Sequence, residues 1–405
     1  MKRQNCLVCN SRELETIVKL GNQPYADTFV PKDRMAEALV TYTLSCDLCN
    51  VCGNIQTVSK TDPKDRYSLH DYSYTSSNSK TSKNHWESFC NSTVEKLNLI
   101  PGNFVVEIGS NDGFLLKQYQ NRGIDVLGVD ASPYVSKLAN ESGVQTIVEV
   151  FNSKVADDIF HKVGSANLVI ANNVFNHSED PVDFATGVQK LLKEGGYFIF
   201  EVPYWKCLVE SQRIDQIYHE HVSYMTVRSV REMLFKAKME LYDVDVVDYH
   251  GGSLRVFARK SNNQNLQNSD KIDAMIEEEK SMGLYDTETY KELMKDLMKK
   301  KFSFLKKVYS IKSKGTPIIA VGAAAKGNTF LNFLNLDHSV IDYVTDASKH
   351  KQGKSTPLTN IPICGDEIFS EYDEVCAIIL SWNISSKIKQ KLLEINPKIK
   401  FLDFL

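Results

Sequence analysis

The sequence predicts an α/β protein with two doubly wound, Rossmann-like sheets and a small cysteine-rich segment in front of them. Three observations carry that prediction. Strand-length apolar runs alternate with helix-like stretches from residue 104 onward, the pattern of parallel sheets. Two of those runs, Phe104–Ile108 and Ile318–Val321, break into small-residue turns that lead into helical sequence. Five of the nine cysteines fall within the first 52 residues, in C-x-x-C spacing. A chain of 405 residues should hold two or three domains, taken here as 1–75, 76–245 and 246–405.

The totals narrow the function. A formal charge of −3 gives no general attraction to polyanions, which disfavours nucleic acid and anionic membrane as partners. No apolar run reaches membrane-spanning length, and the stretch from Met1 to Cys6 lacks a signal peptide's apolar core. The expected location is the cytoplasm, where cysteines are thiols or metal ligands, not disulfides.

In the first segment, Cys6 and Cys9 form one knuckle, and Cys46, Cys49 and Cys52 offer a second. Two such hairpins can close a tetrahedral Cys₄ zinc site. Cys46 can pair with Cys49, or Cys49 with Cys52; Gly53 favours the latter, because it permits the turn that aims backbone amides at sulfur. A redox dithiol is the rival. With four sulfurs engaged no ligand position stays open, so the zinc is expected to be structural. Residues 65–86, with Tyr67, Tyr72, Tyr74, Ser76 and Ser77, lack periodicity and read as a loop, either a substrate wall or a surface linker.

The middle segment opens with helix-like sequence from His85 to Lys96 and the strand Phe104–Ile108. Its turn carries Gly109, Asn111 and Gly113, and helical sequence resumes at Phe114 and Leu115. A dinucleotide fingerprint needs glycine where Phe114 stands. Glu107 before the turn and glycine at its fifth position look instead like the S-adenosylmethionine loop of class I methyltransferases. A second run, Val126–Val129, ends at Asp130 and Ala131, where an acid can accept from both ribose hydroxyls. Pro133 begins a helix; then follow strand-like 146–150, a helix near 153–161, and Leu168–Ala171, which ends in Asn172, Asn173 and His177. A helix from Pro181 to Lys193 precedes strand Tyr197–Val202. The densest chemistry is Tyr218-His219-Glu220-His221-Val222-Ser223-Tyr224, readable as metal ligands, a polar surface run or an acid–base site.

In the last segment, His250-Gly251-Gly252-Ser253 precedes strand-like Val256–Ala258, and a charged helical stretch spans 270–312. The turn from Gly322 to Asn328 superficially matches a Walker loop, but Asn328 stands where its lysine belongs, which argues against an ATPase. Lys326 in that turn can cradle a phosphate, or the turn can be a plain βα connection. Runs at 340–344 and 375–380 complete a second Rossmann-like sheet.

In this order, these stretches resemble the sugar C-methyltransferases of deoxysugar biosynthesis over essentially the whole chain. The resemblance rests on the cysteine hairpins, 72–77, Glu107 to Leu116, Asn172 to His177, Glu220 to Tyr224, His250 to Ser253, Gly322 to Asn328 and Lys351 to Lys354. It implies a zinc-binding N-terminal domain, a central class I methyltransferase domain and a C-terminal Rossmann-like domain that holds a nucleotide-diphosphate handle. His221 is then the base, with Tyr218, Glu220, His177, Tyr224 and a loop tyrosine (Tyr74 or Tyr72) around the sugar. S-adenosylmethionine would contact Glu107, Gly109, Asn111, Gly113, Phe114, Leu115, Asp130, Ala131, Asn172 and Asn173. Tyr72, Ser76, Ser77, His250, Ser253, Lys326 and Asn328 would contact the acceptor, a TDP-sugar ahead of a GDP-sugar. A monomer or homodimer is expected. The departures are Asp130, where glutamate was equally expected, and the extra Cys46. Competing classes are an O- or N-methyltransferase, a nicotinamide dehydrogenase and a non-catalytic zinc-containing assembly protein.

Overall fold

The computed structural model describes residues 2–62, 75–77, 79–260 and 269–404. The N-terminal segment supplies β1 (Leu14–Gln23), β2 (Val30–Pro31), β3 (Tyr42–Cys49) and β4 (Ile55–Thr57). β1, β3 and β4 pair antiparallel and bury Val18, Leu44, Leu48 and Ile55. Helix α1 (Lys80–Leu97) starts at Ser79, whose hydroxyl accepts from the Ser82 amide. Residues 80–86, expected to be loop, are therefore its first two turns, and they turn Ser82 and Trp86 inward.

The middle segment alternates as expected: β5 (Phe104–Ile108), α2 (Phe114–Gln120), β6 (Asp125–Asp130), α3 (Pro133–Glu141), β7 (Thr146–Val148), α4 (Ser153–Val163), β8 (Ala166–Ile170), α5 (Pro181–Leu191) and β9 (Leu192–Pro203). α5 stops short of Lys193 because Leu192 is already extended and pairs with Ala166. Then come α6 (Trp205–Ser211), β10 (Ser223–Tyr224), α7 (Val227–Lys236), β11 (Met239–Val247) and β12 (Ser253–Lys260). The seven-stranded sheet has the order β11-β12-β9-β8-β5-β6-β7, and β12 alone runs against the others. Strand order reverses at β5, which opens a crevice at the carboxyl ends of β5 and β8.

Two strands lie where the sequence reading did not put them. The segment break at 245/246 falls inside β11, and β12 beyond it pairs with β9 in the central sheet. Its Leu254, Val256 and Ala258 join the buried core beneath that sheet. β10 leaves the middle segment and becomes the fourth strand of the N-terminal sheet, with Ser223 opposite Gln56 and Tyr224 opposite Ile55.

The 270–312 stretch is two helices, α8 (Asp270–Ser281) and α9 (Thr287–Lys312), broken near Gly283, whose φ is +72°. The remaining elements are β13 (Ile318–Val321), α10 (Ala325–Leu334), β14 (Tyr343–Thr345), β15 (Lys354–Ser355), β16 (Ile363–Cys364), β17 (Cys376–Ile379), α11 (Ser385–Ile395) and β18 (Lys400–Phe401). Five of these strands form a parallel sheet ordered β16-β14-β13-β17-β18. β15 pairs with β2, which stitches the N-terminal segment to this domain. One core, including Leu44, Tyr224, Tyr290, Leu297, Ile318 and Leu331, continues from the N-terminal sheet past α9 into the C-terminal sheet.

Candidate active site and metal centre

Cys6, Cys9, Cys49 and Cys52 bring their sulfurs within 4.8 Å of one another. The Cys6–Cys52 and Cys9–Cys49 separations are 3.5 and 3.4 Å. Sulfurs bound tetrahedrally at ~2.3 Å lie ~3.8 Å apart, so the cluster fits zinc after a small expansion. Hydrogen bonds from the Cys52 and Cys6 thiols, and after them from the backbone amides of Cys52 and Val51, hold the Cys49 pKa below the usual thiol value against the opposing effect of burial. Gly53 has φ +74°, and a Cβ there would stand 2.6 Å from the Tyr285 ring, so this knuckle needs glycine twice over. Cys46 is absent from the cluster; it is fully buried in the N-terminal sheet.

A cavity of about 540 Å³ opens at the carboxyl ends of β5, β6 and β8 and reaches the C-terminal domain. Glu107, Gly109, Asn111, Leu115, Asp130, Ala131, Asn172 and Asn173, all expected at the donor site, line it together. Gly109 has φ +71°, and a Cβ there would lie 2.8 Å from Val174, so the loop closes on β8 only with glycine. Asn111 and Asn173 adopt φ +53°, which asparagine tolerates better than most residues. Asp130 accepts from the amides of Asn111 (2.9 Å) and Ser132 (2.8 Å), which fixes its carboxylate while burial raises its pKa. Glu107 Oε2, Asn172 Nδ2 and Trp86 Nε1 are buried at this wall with no hydrogen-bond partner among the described residues. A carboxylate acceptor and two N–H donors left open this way suit the amino acid and nucleoside of S-adenosylmethionine. Gly113 and Phe114 do not line the cavity: Gly113, φ +76°, makes the turn into α2, and Phe114 begins that helix.

His221, Tyr218 and His177 stand in the same cavity. His221 Nδ1 lies 3.0 Å from the Gln216 carbonyl, which can only accept, so the proton sits on Nδ1. Its Nε2 accepts from the Tyr218 hydroxyl at 2.7 Å, and the His177 ring is 5.2 Å away. Burial, reinforced by His177, Lys326 and His250, pushes the His221 pKa well below the usual histidine value. The imidazole is therefore neutral at pH 7 and able to take a proton.

Several expected contacts lie elsewhere. Neither Glu220 nor Tyr224 lines the cavity, and Glu220 does not orient His221, whose nitrogens belong to Gln216 and Tyr218. Tyr224 is buried and accepts from the Tyr218 amide at 3.2 Å, bracing the turn. His219 Nδ1 faces the Pro24 carbonyl. Ser76 does line the cavity while Ser77 does not; both give their hydroxyls to Asp112, at 2.5 and 2.6 Å, and the Ser76 amide donates to Asn111 Oδ1, so they tie the preceding chain to the loop after β5. Ser253 Oγ donates to the Tyr249 carbonyl and Asn328 Nδ2 to the Ala26 carbonyl, both away from the cavity. Ser253 is held by its own turn, and Asn328 by a segment that tertiary folding brings in. Tyr72 and Tyr74 lie outside the described residues.

The C-terminal wall presents His250 and Lys326 as expected, joined by Lys351. Burial lowers the Lys326 pKa, a shift that Asp215 opposes. Asp215 accepts from Trp382 Nε1 at 2.5 Å, and Lys326 lies 5.3 Å over that indole. Residues that the sequence reading missed also line the cavity: Asp27 and Phe29, Glu149 and Phe151 after β7, and Gln216. The carboxyl end of β7, beside β6, was the signal available for Glu149 and Phe151.

Comparison with known proteins agrees with this layout. Residues 6–67 match the family "Putative zinc binding domain", residues 82–243 "Methyltransferase domain" and residues 248–401 "C-methyltransferase C-terminal domain". The C-methyltransferase NovU of Streptomyces niveus is 29% identical over 383 residues, covering 95% of this chain and 90% of its own. A ubiquinone biosynthesis O-methyltransferase of Acinetobacter baumannii (strain AYE) is 30% identical over 110 residues, 26% of this chain and 46% of its own. Among solved structures, magnesium protoporphyrin IX methyltransferase (ChlM) of Synechocystis PCC 6803 with bound SAH covers 44% of this chain and 83% of its own, at 15% identity and a TM-score of 0.36. With three domain families matched in order between residues 6 and 401 and a C-methyltransferase aligned along nearly its whole length, the chain is an S-adenosylmethionine-dependent C-methyltransferase whose four-cysteine cluster sits in its zinc-binding domain.

Proposed function

We propose that the enzyme methylates C-3 of a 4-keto deoxysugar carried on a nucleoside diphosphate, a TDP-sugar first and a GDP-sugar second, in the cytoplasm. The observation that carries this reading is the shared cavity, in which a neutral, oriented imidazole stands between a carboxylate-rich wall and a wall with two lysines. Carbon methylation needs a carbon nucleophile, and a sugar C–H becomes acidic beside a carbonyl. A 4-keto group supplies that acidity to C-3.

S-adenosylmethionine, when bound, supplies an electrophilic methyl group. His221 takes the proton through Tyr218: the Tyr218 oxygen receives the C-3 proton as its own proton passes to His221 Nε2, and the C–H electron pair passes into the enolate. His177 donates a hydrogen bond to the developing O-4 charge. Charge sorts the two ligands: Asp130 and Glu149 suit a cationic donor, while Lys326 and Lys351 suit a diphosphate; burial raises the Glu107 pKa well above the usual carboxylate range, so its part is hydrogen bonding. Among the described residues no helix is long and apolar enough to cross a membrane.

The test is mass spectrometry of TDP-4-keto-6-deoxysugars incubated with the protein and methyl-labelled S-adenosylmethionine. Label on a sugar carbon, and His221-dependent deuterium exchange at C-3 without donor, are expected. Label on oxygen or nitrogen, with no exchange at C-3, would overturn the reading.

A further inference from the structure

We infer that the zinc-bearing N-terminal domain reads the nucleoside of the acceptor through Asp27 and Phe29. This rests on the nucleotide-sugar reading above and names the part of the site that would recognise the base.

The segment that carries the two residues runs along the cavity from the catalytic turn outward. The Pro24 carbonyl faces His219, two residues from His221, and the Ala26 carbonyl accepts from Asn328 at 2.6 Å. Val30 and Pro31 then pair with Ser355 and Lys354 of the C-terminal domain. Asp27 and Phe29 therefore lie between the proton-accepting pair and the outer C-terminal wall, where the end of the ligand remote from the reacting sugar must pass.

Their chemistry matches a nucleoside, not a phosphate. The Phe29 ring is half-buried against the core, and Lys351 Nζ sits 4.9 Å from its centroid, which sets a cation beside an aromatic face. A base can stack on that ring while the neighbouring ammonium meets the diphosphate. Asp27 opens on the cavity, and its carboxylate accepts no hydrogen bond from the described residues, the Phe29 amide going to its backbone carbonyl; only Lys351 and Asp346 act on the carboxylate by charge. An anion there repels phosphate and welcomes a neutral donor, which a nucleoside offers as a base N–H or a sugar hydroxyl. Burial raises the Asp27 pKa, a shift that a donor bound to the carboxylate would oppose.

The experiment titrates TDP, UDP and GDP into wild type, Asp27→Ala and Phe29→Ala by calorimetry, with S-adenosylhomocysteine as the second titrant. Expected are a nucleotide Kd weakened roughly tenfold to a hundredfold in each variant and an unchanged S-adenosylhomocysteine Kd. Nucleotide binding equal to wild type in both variants would overturn the inference and leave the nucleotide-sugar reading standing. Failure of wild type to bind any of the three nucleotides would remove both. Should Phe29→Ala also lose S-adenosylhomocysteine, Phe29→Leu decides, since it keeps the packing and loses the stacking face; wild-type nucleotide affinity in that variant counts against Phe29.

Discussion

Both imidazole nitrogens of His221 are committed before any ligand arrives, one to the Gln216 carbonyl and one to the Tyr218 hydroxyl. That arrangement fixes the tautomer that a base requires and hands it a partner through which a proton can move. His221→Ala should lower kcat by roughly 10²–10⁴-fold with donor binding retained, because general-base catalysis is worth about that much. The pH dependence has a definite sign. The free base is the active form and its pKa is depressed, so kcat/KM should stay level as pH falls through the usual histidine value near 6.5 and decline only below it. An acid limb centred at or above 6.5 would show that the titrating group is not a buried histidine. The residue types of this site were legible because strand–turn periodicity put Gly109, Asp130 and His177 at the same sheet edge. Gln216 was not legible, since its contribution is a backbone carbonyl, which every residue carries.

At the scale of elements, connections between segments matter more than the elements themselves. Asp112, in the turn between β5 and α2, gathers the amide of Ser77 and the hydroxyls of Ser76 and Ser77. Asp112→Ala leaves those donors without a carboxylate and loosens the donor loop, so KM for S-adenosylmethionine should rise about tenfold with little change in kcat. Steady-state kinetics at saturating acceptor would show it; a fall in kcat alone would place Asp112 in the chemistry. A second connection is the His250–Ser253 turn. Gly251 has φ +87°, and a Cβ there would meet the Trp382 ring at 2.2 Å. Gly251→Ala should cost about 1–3 kcal/mol, readable as a lower Tm, because the backbone is strained and the indole must move. The periodic strands and the proline-started helix α3 could be read in advance, since their signals are local. β10 and β12 could not, because the sequence of a short strand does not say which sheet it joins. The same limit applies to Ser77, Ser253 and Asn328, which do not line the cavity: a polar side chain in a functional-looking stretch does not disclose whether it faces a ligand or a neighbouring loop.

Across the whole molecule, the zinc site and the catalytic turn are mechanically one unit. Cys49 ends β3 and Cys52 sits in the turn to β4, so metal binding fixes the register of both strands. β4 carries Gln56 and Ile55, the partners of Ser223 and Tyr224 in β10, and the Thr57 amide donates to the Val222 carbonyl at 2.9 Å. Val222 follows His221 directly, and Tyr224 braces the backbone of Tyr218. Structural zinc contributes folding energy outright, so its removal should release β4 and with it the turn that holds Tyr218 and His221. The donor loop draws its support from β5, β6 and β8 and makes no such demand on the metal. Chelation should therefore abolish methyl transfer while S-adenosylhomocysteine still binds within a fewfold of its original affinity, and zinc restored to the same sample should recover turnover. Full activity in protein shown by metal analysis to be zinc-free would break this chain of dependence. Parallel loss of S-adenosylhomocysteine binding would show instead that the metal stabilises the central domain as well, through the core that Cys49 and Cys52 share with Val106 and Val129.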